Sequence, residues 1–333
     1  MSARALLLIA LLGVCVAPSR ANLIITPVWD SSITNDPNGA SIESAINQAI
    51  GVFQSTYSTP ITVSIYFQEA SSGLGGSLRY QYAENYQSYY NALVSLDANP
   101  AAVAGLTANG GNAAVDPILG NWYIGMNSAN LRAIGANVLP GCDPTGSAGA
   151  KTCTFGVNSS AVDGIVSLNT GITFPAKPNN GQNYSLVSVA EHEIDEILGL
   201  GSGIRNDESA SGTATGSYIT PEDLFRYSAS GTRIFSVNCS SPEQAFFSYD
   251  GVTDIATFNN KCNGGDFADW AQSLTNHQVQ DAFATAGATP VYGPSEIAAL
   301  SAIGYQLVPE PATWSLAFGA SAVALWARRR KRR

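Results

Sequence analysis

Two residues one helical turn apart, His192 and Glu196, have the spacing that best suits metal chemistry in this sequence. Side chains four residues apart lie on the same face of a helix, so both can bind one ion. In the pattern His-Glu-x-x-His, the first and fifth residues bind zinc and the glutamate acts as the general base. Here Glu193 matches that base, and Glu196 replaces the second histidine with a carboxylate, which is also a zinc ligand.

The segment that must position these residues, 185–199, has the periodicity of an amphipathic helix. Ser185 suits its N-cap and Gly199 suits its end. An apolar arc contains Leu186, Val187, Ala190, Ile194, Ile197 and Leu198. The opposite arc contains Glu191, His192, Glu193, Asp195 and Glu196. We therefore expect one face in the core and the other in contact with a metal or with solvent.

A second interpretation of this helix needs no metal. Its polar arc could be a solvated acidic face, although four carboxylates in six positions repel one another unless a cation or an arginine offsets them. The spacing alone leaves both interpretations open.

Three other polar positions carry side chains that bind metals. Glu222 and Asp223 follow Thr220 and Pro221, which also fit the start of a short capped helix. The sequence Asn-Gly-Gly-Asp-Phe-Ala-Asp-Trp at 263–270 predicts a tight acidic turn, with calcium binding as an alternative. His277 lies in a polar segment, and we interpret it as a surface histidine rather than a ligand.

Both ends of the chain have the composition of targeting segments. Residues 1–21 combine Arg4, an apolar run at 5–16 and small residues before Asn22, which predicts a secretory signal peptide. Residues 308–315 read Val-Pro-Glu-Pro-Ala-Thr-Trp-Ser. An apolar segment at 312–327 and six basic residues follow, and 16 helical residues would span about 24 Å, which is a marginal membrane crossing.

This C-terminal segment, 308–333, resembles the PEP-CTERM sorting signal of Gram-negative bacteria. The resemblance implies recognition by an exosortase, a membrane transpeptidase. It also implies an exported protein that is held in the membrane by 312–327 and lies at the cell surface or outside the cell after sorting. A plain C-terminal membrane anchor remains the alternative.

The net charge and the cysteine count of the chain between the two signals indicate its possible partners and its disulfides. Without residues 1–21 and 312–333, 8 of the 16 Lys and Arg residues remain against 25 acidic residues, a formal charge of −17. Such a surface argues against nucleic acid as a partner. Four cysteines also remain, and their even number in an exported chain predicts two disulfides. Of the three possible pairings we expect the sequence-local one, Cys142 with Cys153 and Cys239 with Cys262.

The hydrophobic pattern predicts an α+β fold. Strands are expected at 22–29, 60–68 and 161–169, and helices at 41–57 and 80–96, ahead of the helix at 185–199. Short strands, hairpins and a final helix beginning at Pro294 follow.

Five stretches, 189–199, 223–229, 246–251, 264–270 and 298–305, are similar to a family of exported bacterial proteins identified as PEP-CTERM metalloproteases. The order of elements before the helix at 185–199 also resembles zincin catalytic domains. These resemblances imply a zincin-like subdomain with a mixed sheet at 22–203 and a mixed α/β subdomain at 204–307. They further imply zinc ligands at His192, Glu196 and Asp223, a general base at Glu193 and an oxyanion partner at Tyr227.

Two functions follow from these observations. The first is a metal-dependent endopeptidase that hydrolyses protein or peptide substrates outside the cell. The second is a non-catalytic surface or extracellular-matrix protein with a degenerate zincin-like fold. The second is suggested by the missing second histidine and by the resemblance to PEP-CTERM tails, which implies an exopolysaccharide-producing bacterium.

Overall fold

The computed structural model describes residues 22–108, 114–144, 152–153, 161–175, 183–204 and 213–309. The predicted signal peptide, the apolar segment at 312–327 and the basic tail lie outside these residues. The helices are α1 (Ser31–Thr34), α2 (Gly39–Thr56), α3 (Tyr86–Leu96), α4 (Pro100–Ala108), α5 (Ser128–Ala133), α6 (Leu186–Leu198) and α7 (Pro294–Ala302), with a 3-10 helix at Glu222–Phe225. The strands are β1 (Ile24–Trp29), β2 (Thr62–Glu69), β3 (Gly75–Arg79), β4 (Gln81–Asn85), β5 (Tyr123–Asn127), β6 (Cys142–Asp143), β7 (Thr152–Cys153), β8 (Gly164–Leu168), β9 (Thr173–Phe174), β10 (Tyr184–Ser185), β11 (Thr213–Thr215), β12 (Arg226–Ala229), β13 (Thr232–Arg233), β14 (Ser236–Asn238), β15 (Phe246–Phe247) and β16 (Ala256–Thr257).

A mixed four-stranded sheet with the order β1-β2-β8-β3 forms the first half of the fold. The strands β1, β2 and β8 run parallel, and β3 pairs antiparallel with β8 at the edge. The three parallel strands are those that the sequence predicts at 22–29, 60–68 and 161–169. Helices occur together with this mixed sheet and with separate antiparallel sheets, which is consistent with the predicted α+β class.

Helix α6 packs against α2, β3 and β8. Its N-terminus is capped as predicted, because the Ser185 hydroxyl accepts a hydrogen bond from the Ser188 amide at 3.2 Å. It ends at Gly199, which has φ +141°, a conformation that favours glycine. Gly164 on β8 allows the close approach, since a Cβ there would lie 2.1 Å from Ile197 Cδ1.

The predicted helix at 80–96 is only partly present. Its first part is β4, which pairs antiparallel with β5, and α3 begins after Asn85. The Asn85 side chain accepts a hydrogen bond from the Ser88 amide at 3.1 Å and caps α3. The tyrosines have helical spacing throughout 80–96, so the predicted helix includes β4. This strand forms because it pairs with β5, which is distant in the sequence.

The second half of the fold carries a four-stranded antiparallel sheet with the order β13-β12-β15-β16. Its last helix, α7, returns to pack against α6, and the Tyr305 hydroxyl donates to the Leu198 carbonyl at 2.7 Å. The larger hydrophobic cluster contains residues from Leu23 to Tyr305. Because this core crosses residue 203, the boundary between the subdomains 22–203 and 204–307 stays a prediction.

Two disulfides join Cys142 to Cys153 and Cys239 to Cys262, which confirms the sequence-local pairing. They are consistent with a protein that is exported to an oxidising compartment. Among the residues that the structure describes, no helix has both the length and the apolar character to cross a membrane.

Candidate metal centre

Three side chains converge on one side of α6: His192, Glu196 and Asp269. One ligand atom from each lies within 4.8 Å of the other two. The Nε2 atom of His192 lies 3.8 Å from Oδ1 of Asp269. His192 and Glu196 thus lie together, as predicted. The third member, Asp269, directly precedes Trp270, which forms a β-bridge with residue 281.

The ring of His192 is oriented by the backbone. Its Nδ1 atom lies 3.0 Å from the carbonyl of Val279, so Nδ1 carries the proton that it donates. When the ring is neutral, Nε2 is the unprotonated nitrogen, and it faces the two carboxylates. A histidine that binds a metal through one nitrogen and donates to a carbonyl through the other has this arrangement. Burial opposes the charged form, but the nearby charges of Glu193 and Glu196 raise the pKa of His192 above its usual value.

Strand β3 holds Glu196. Its Oε2 atom accepts hydrogen bonds from the Ser77 hydroxyl and from Nη1 of Arg79, the latter at 3.2 Å. Arg79 also donates to Ser77 Oγ at 2.7 Å. The arginine that could offset the acidic helix is therefore present, and it pairs with one of the four carboxylates in the predicted polar arc.

The polar arc is not solvated. Glu191, Glu193, Asp195 and Glu196 are each no more than 6 % exposed. The interpretation of α6 as a helix with a solvated acidic face is therefore wrong. The carboxylate of Asp195, for example, accepts a hydrogen bond from the Tyr292 hydroxyl at 3.1 Å.

Asp269 provides the test of whether the group fits a metal ion. Its Oδ1 atom is buried and accepts no hydrogen bond from the residues that the structure describes. Burial and the nearby charge of Glu196 raise the pKa of Asp269 well above its usual value. A buried carboxylate oxygen without a partner costs free energy unless a cation binds it. One imidazole nitrogen and two carboxylates are a donor set used by zinc, whereas calcium prefers oxygen ligands alone.

Glu193 follows the first ligand and lines the same cleft. Burial and repulsion by Glu196 raise the pKa of Glu193 to about 8. Gly75 on β3 makes room for it, since a Cβ at that position would lie 2.4 Å from Glu193 Oε1. Glu193 is therefore a buried residue of the cleft wall that lies beside the metal group.

Asp223, the predicted third ligand, is not in the group that the described residues form. Its Oδ2 atom accepts hydrogen bonds from the backbone amides of Gly203 and Thr220, and its Oδ1 atom accepts one from Ser202. The carboxylate thus ties the loop after α6 to the 3-10 helix. The short helix begins at Glu222 with Pro221 as its N-cap, so Thr220 is not the cap, although its hydroxyl accepts a hydrogen bond from the Asp223 amide at 3.4 Å.

Tyr227, the predicted oxyanion partner, does not line the cleft. Its side chain is fully buried, stacks on Phe246 and lies under the guanidinium of Arg233 at 5.0 Å. Packing within the second sheet explains this position, because Tyr227 belongs to β12 between β13 and β15.

The cleft beside the metal group has a volume of about 500 Å³. Glycines and Ser77 of β3 form one wall, and residues of the segments 264–269 and 277–290 form the other. His277, which we expected at the surface, is half-buried in this second wall. Its Nδ1 atom is buried and has no hydrogen-bond partner among the described residues.

Asp269, His277 and Asp281 line the cleft, and the sequence did not reveal their place in it. The only sequence signal for Asp269 was the acidic turn at 263–270. No family model, curated protein or solved structure matches this chain.

Proposed function

We propose that this protein is an exported zinc-dependent endopeptidase with a zincin-like fold. The observation that carries the proposal is the group His192, Glu196 and Asp269, in which a buried carboxylate oxygen has no described partner and Glu193 lies alongside. An open cleft beside three protein ligands is the arrangement of catalytic rather than structural zinc sites.

Each residue has a chemical task in this proposal. Zinc, when bound by His192, Glu196 and Asp269, would supply positive charge that polarises a peptide carbonyl and acidifies water. Glu193 would accept a proton from the attacking water on its carboxylate and return it to the leaving amine. The Val279 carbonyl would keep His192 in the tautomer that leaves Nε2 unprotonated.

Membership of the PEP-CTERM metalloprotease family is part of the same proposal. The order strand, helix, strand and a final strand before α6 supports the likeness to zincin catalytic domains. Export, retention by the segment 312–327 and processing by an exosortase belong to the proposal as well. The two disulfides support the export step.

One observation favours the alternative, a non-catalytic surface or extracellular-matrix protein with a degenerate zincin-like fold. Glu196 already has a cationic partner, since Nη1 of Arg79 lies 3.2 Å from its Oε2 atom. This ion pair stabilises the carboxylate without any metal.

The deciding experiment combines elemental analysis with a peptide cleavage assay. We expect about one zinc per chain in the parent protein and none in His192→Ala. Glu193→Gln should keep its zinc but cleave the peptide about 10²–10⁴-fold more slowly than the parent. A parent protein that binds no zinc would favour the alternative function. A Glu193→Gln variant that cleaves at the parent rate would remove Glu193 from the mechanism.

A further inference from the structure

A buried carboxylate in the cleft wall takes no part in the metal group. Asp281 is 6 % exposed and lines the cleft, and its Oδ1 atom has no hydrogen-bond partner among the described residues. Its other oxygen, Oδ2, accepts a hydrogen bond from the Gln278 amide at 3.0 Å. Oδ2 thus fixes the side chain at the edge of the cleft, and Oδ1 has no hydrogen-bond partner among the described residues.

The backbone around Asp281 places it beside the metal group. Residues 270 and 281 form a parallel β-bridge, and the Ala282 amide donates to the Trp270 carbonyl at 2.9 Å. Trp270 follows Asp269 directly. The unpartnered carboxylate is therefore held at a fixed register next to the candidate metal ligand.

The charge of the cleft defines what could enter. Five carboxylates and one arginine line it, and that arginine, Arg79, pairs with Glu196. A divalent ion together with Arg79 leaves two carboxylates in excess. Asp281 and the exposed Asp266 are two of these five carboxylates. An anionic or neutral polar group would leave this excess uncompensated.

The cleft also offers apolar surface next to Asp281. Its lining includes Leu74, Val279, Ala282, Ala284 and Pro290. Lysine and arginine side chains bury a hydrocarbon stem along such a surface and carry the charge at the end. A second metal ion is not favoured, because Asp281 belongs to no cluster of three close ligands among the described residues.

We propose that Asp281 binds the cationic side chain of a lysine or arginine residue in the peptide substrate, so that the cleft selects basic peptides. This inference rests on the proposed endopeptidase function. It assigns Asp281 to specificity and leaves the metal ligands and Glu193 to the reaction.

The first test measures binding without turnover. The full-length zinc-loaded Glu193→Gln protein is titrated calorimetrically at pH 8 with acetylated and amidated alanine hexapeptides. Each peptide of the set carries one arginine at a different position. A matched control peptide has citrulline in place of that arginine. Citrulline has nearly the same shape without the charge. We expect at least a tenfold lower Kd for arginine at one position, and equal affinities for every arginine peptide and its citrulline control would overturn the proposal.

The second test assigns the preference to Asp281. Asp281→Asn keeps an oxygen that can accept the Gln278 hydrogen bond, so we expect it to fold and to reduce the arginine preference to less than twofold. Glu243→Gln removes an exposed carboxylate outside the cleft and should keep the full preference. An undiminished preference in Asp281→Asn would overturn the assignment. The arginine and citrulline comparison itself requires no variant of Asp281.

Cleavage of the same peptides by the zinc-loaded parent separates this inference from the function on which it rests. Cleavage without preference for arginine would overturn the specificity and leave the endopeptidase standing. Selective binding of arginine peptides without any cleavage would overturn the endopeptidase and leave a site for basic peptides.

Discussion

Among single residues, Asp269 and Asp223 are the two alternative third ligands of the candidate metal centre. The carboxylate of Asp269 lies with His192 and Glu196, whereas Asp223 is saturated by hydrogen bonds from the loop after α6. We expect Asp269→Asn to lower zinc affinity about 100-fold or more, because an amide is a poor zinc ligand. Zinc titration against a chromophoric chelator would measure this.

Asp223→Asn is the matched control. It should keep zinc and lower the free energy of unfolding by about 1–3 kcal/mol, because an amide group would face the buried Gly203 and Thr220 donors. Loss of zinc in Asp223→Asn at unchanged stability would restore Asp223 as the ligand.

Asp281 makes the stability of the metal-free protein depend on pH. Burial and the charge of Glu296 raise its pKa to about 7, against opposing effects of the Gln278 amide and His192, and Asp269 also faces it. Since the usual value is about 4, the neutral carboxyl favours the folded state below pH 4 and this contribution disappears as the pH rises through 7.

Asp281→Asn should therefore gain stability relative to the parent between pH 5 and pH 8, by at least about 1 kcal/mol. Urea unfolding in the presence of a chelator at both pH values measures the difference. A stability difference that stays constant from pH 5 to pH 8 would show that Asp281 titrates normally.

The sequence identified two of the three candidate ligands because α6 brings them together within a single helical turn. Asp269 comes from a different segment, and a β-bridge between residues 270 and 281 joins that segment to the one whose Val279 carbonyl contacts His192. A contact between residues as far apart in the sequence as His192 and Asp269 has no periodicity that a local pattern could reveal. Asp223 is a carboxylate that follows the helix in the sequence, but the hydroxyls of its neighbours Ser202 and Thr220 donate hydrogen bonds to it in place of a metal.

At the scale of elements, the contact between β3 and α6 controls the shape of the cleft. A Cβ on Gly75 would lie 2.4 Å from Glu193 Oε1 and 2.8 Å from Val189 Cγ1. Gly76, the next residue, has no atom within 4 Å of such a Cβ. We expect Gly75→Ala to lower the free energy of unfolding by about 1–3 kcal/mol and to reduce peptide cleavage, because Glu193 must move.

Gly76→Ala serves as the paired variant and should leave both quantities within experimental error. Thermal unfolding and cleavage rates of the two variants give the comparison. Equal effects of the two substitutions would mean that loss of backbone flexibility in β3, rather than contact with Glu193, governs the result.

Element boundaries were predictable where local chemistry sets them. Ser185 and Gly199 delimit α6 as the sequence indicates, and Gly304, with φ +116°, lies just after the final helix. The strand β4 was missed because its definition depends on β5, far along the chain. Local signals thus predicted caps and helix faces, and pairing partners required the structure.

At the scale of the whole molecule, the core joins residues on both sides of the metal group, since α7 packs on α6. A ligand that binds only the folded chain stabilises it as a whole. If zinc binds at His192, Glu196 and Asp269, free zinc at 100 times its Kd should add about 2.7 kcal/mol to the free energy of unfolding.

Chelation therefore distinguishes the two proposed functions through the Tm. With the disulfides kept oxidised, we expect a chelator to lower the Tm of the parent by several degrees and to leave His192→Ala unchanged. The zinc-free variant is the control, because a general effect of the chelator would shift both proteins. Identical melting of the parent with and without chelator would favour the metal-free alternative, in which Arg79 alone compensates the charge of Glu196.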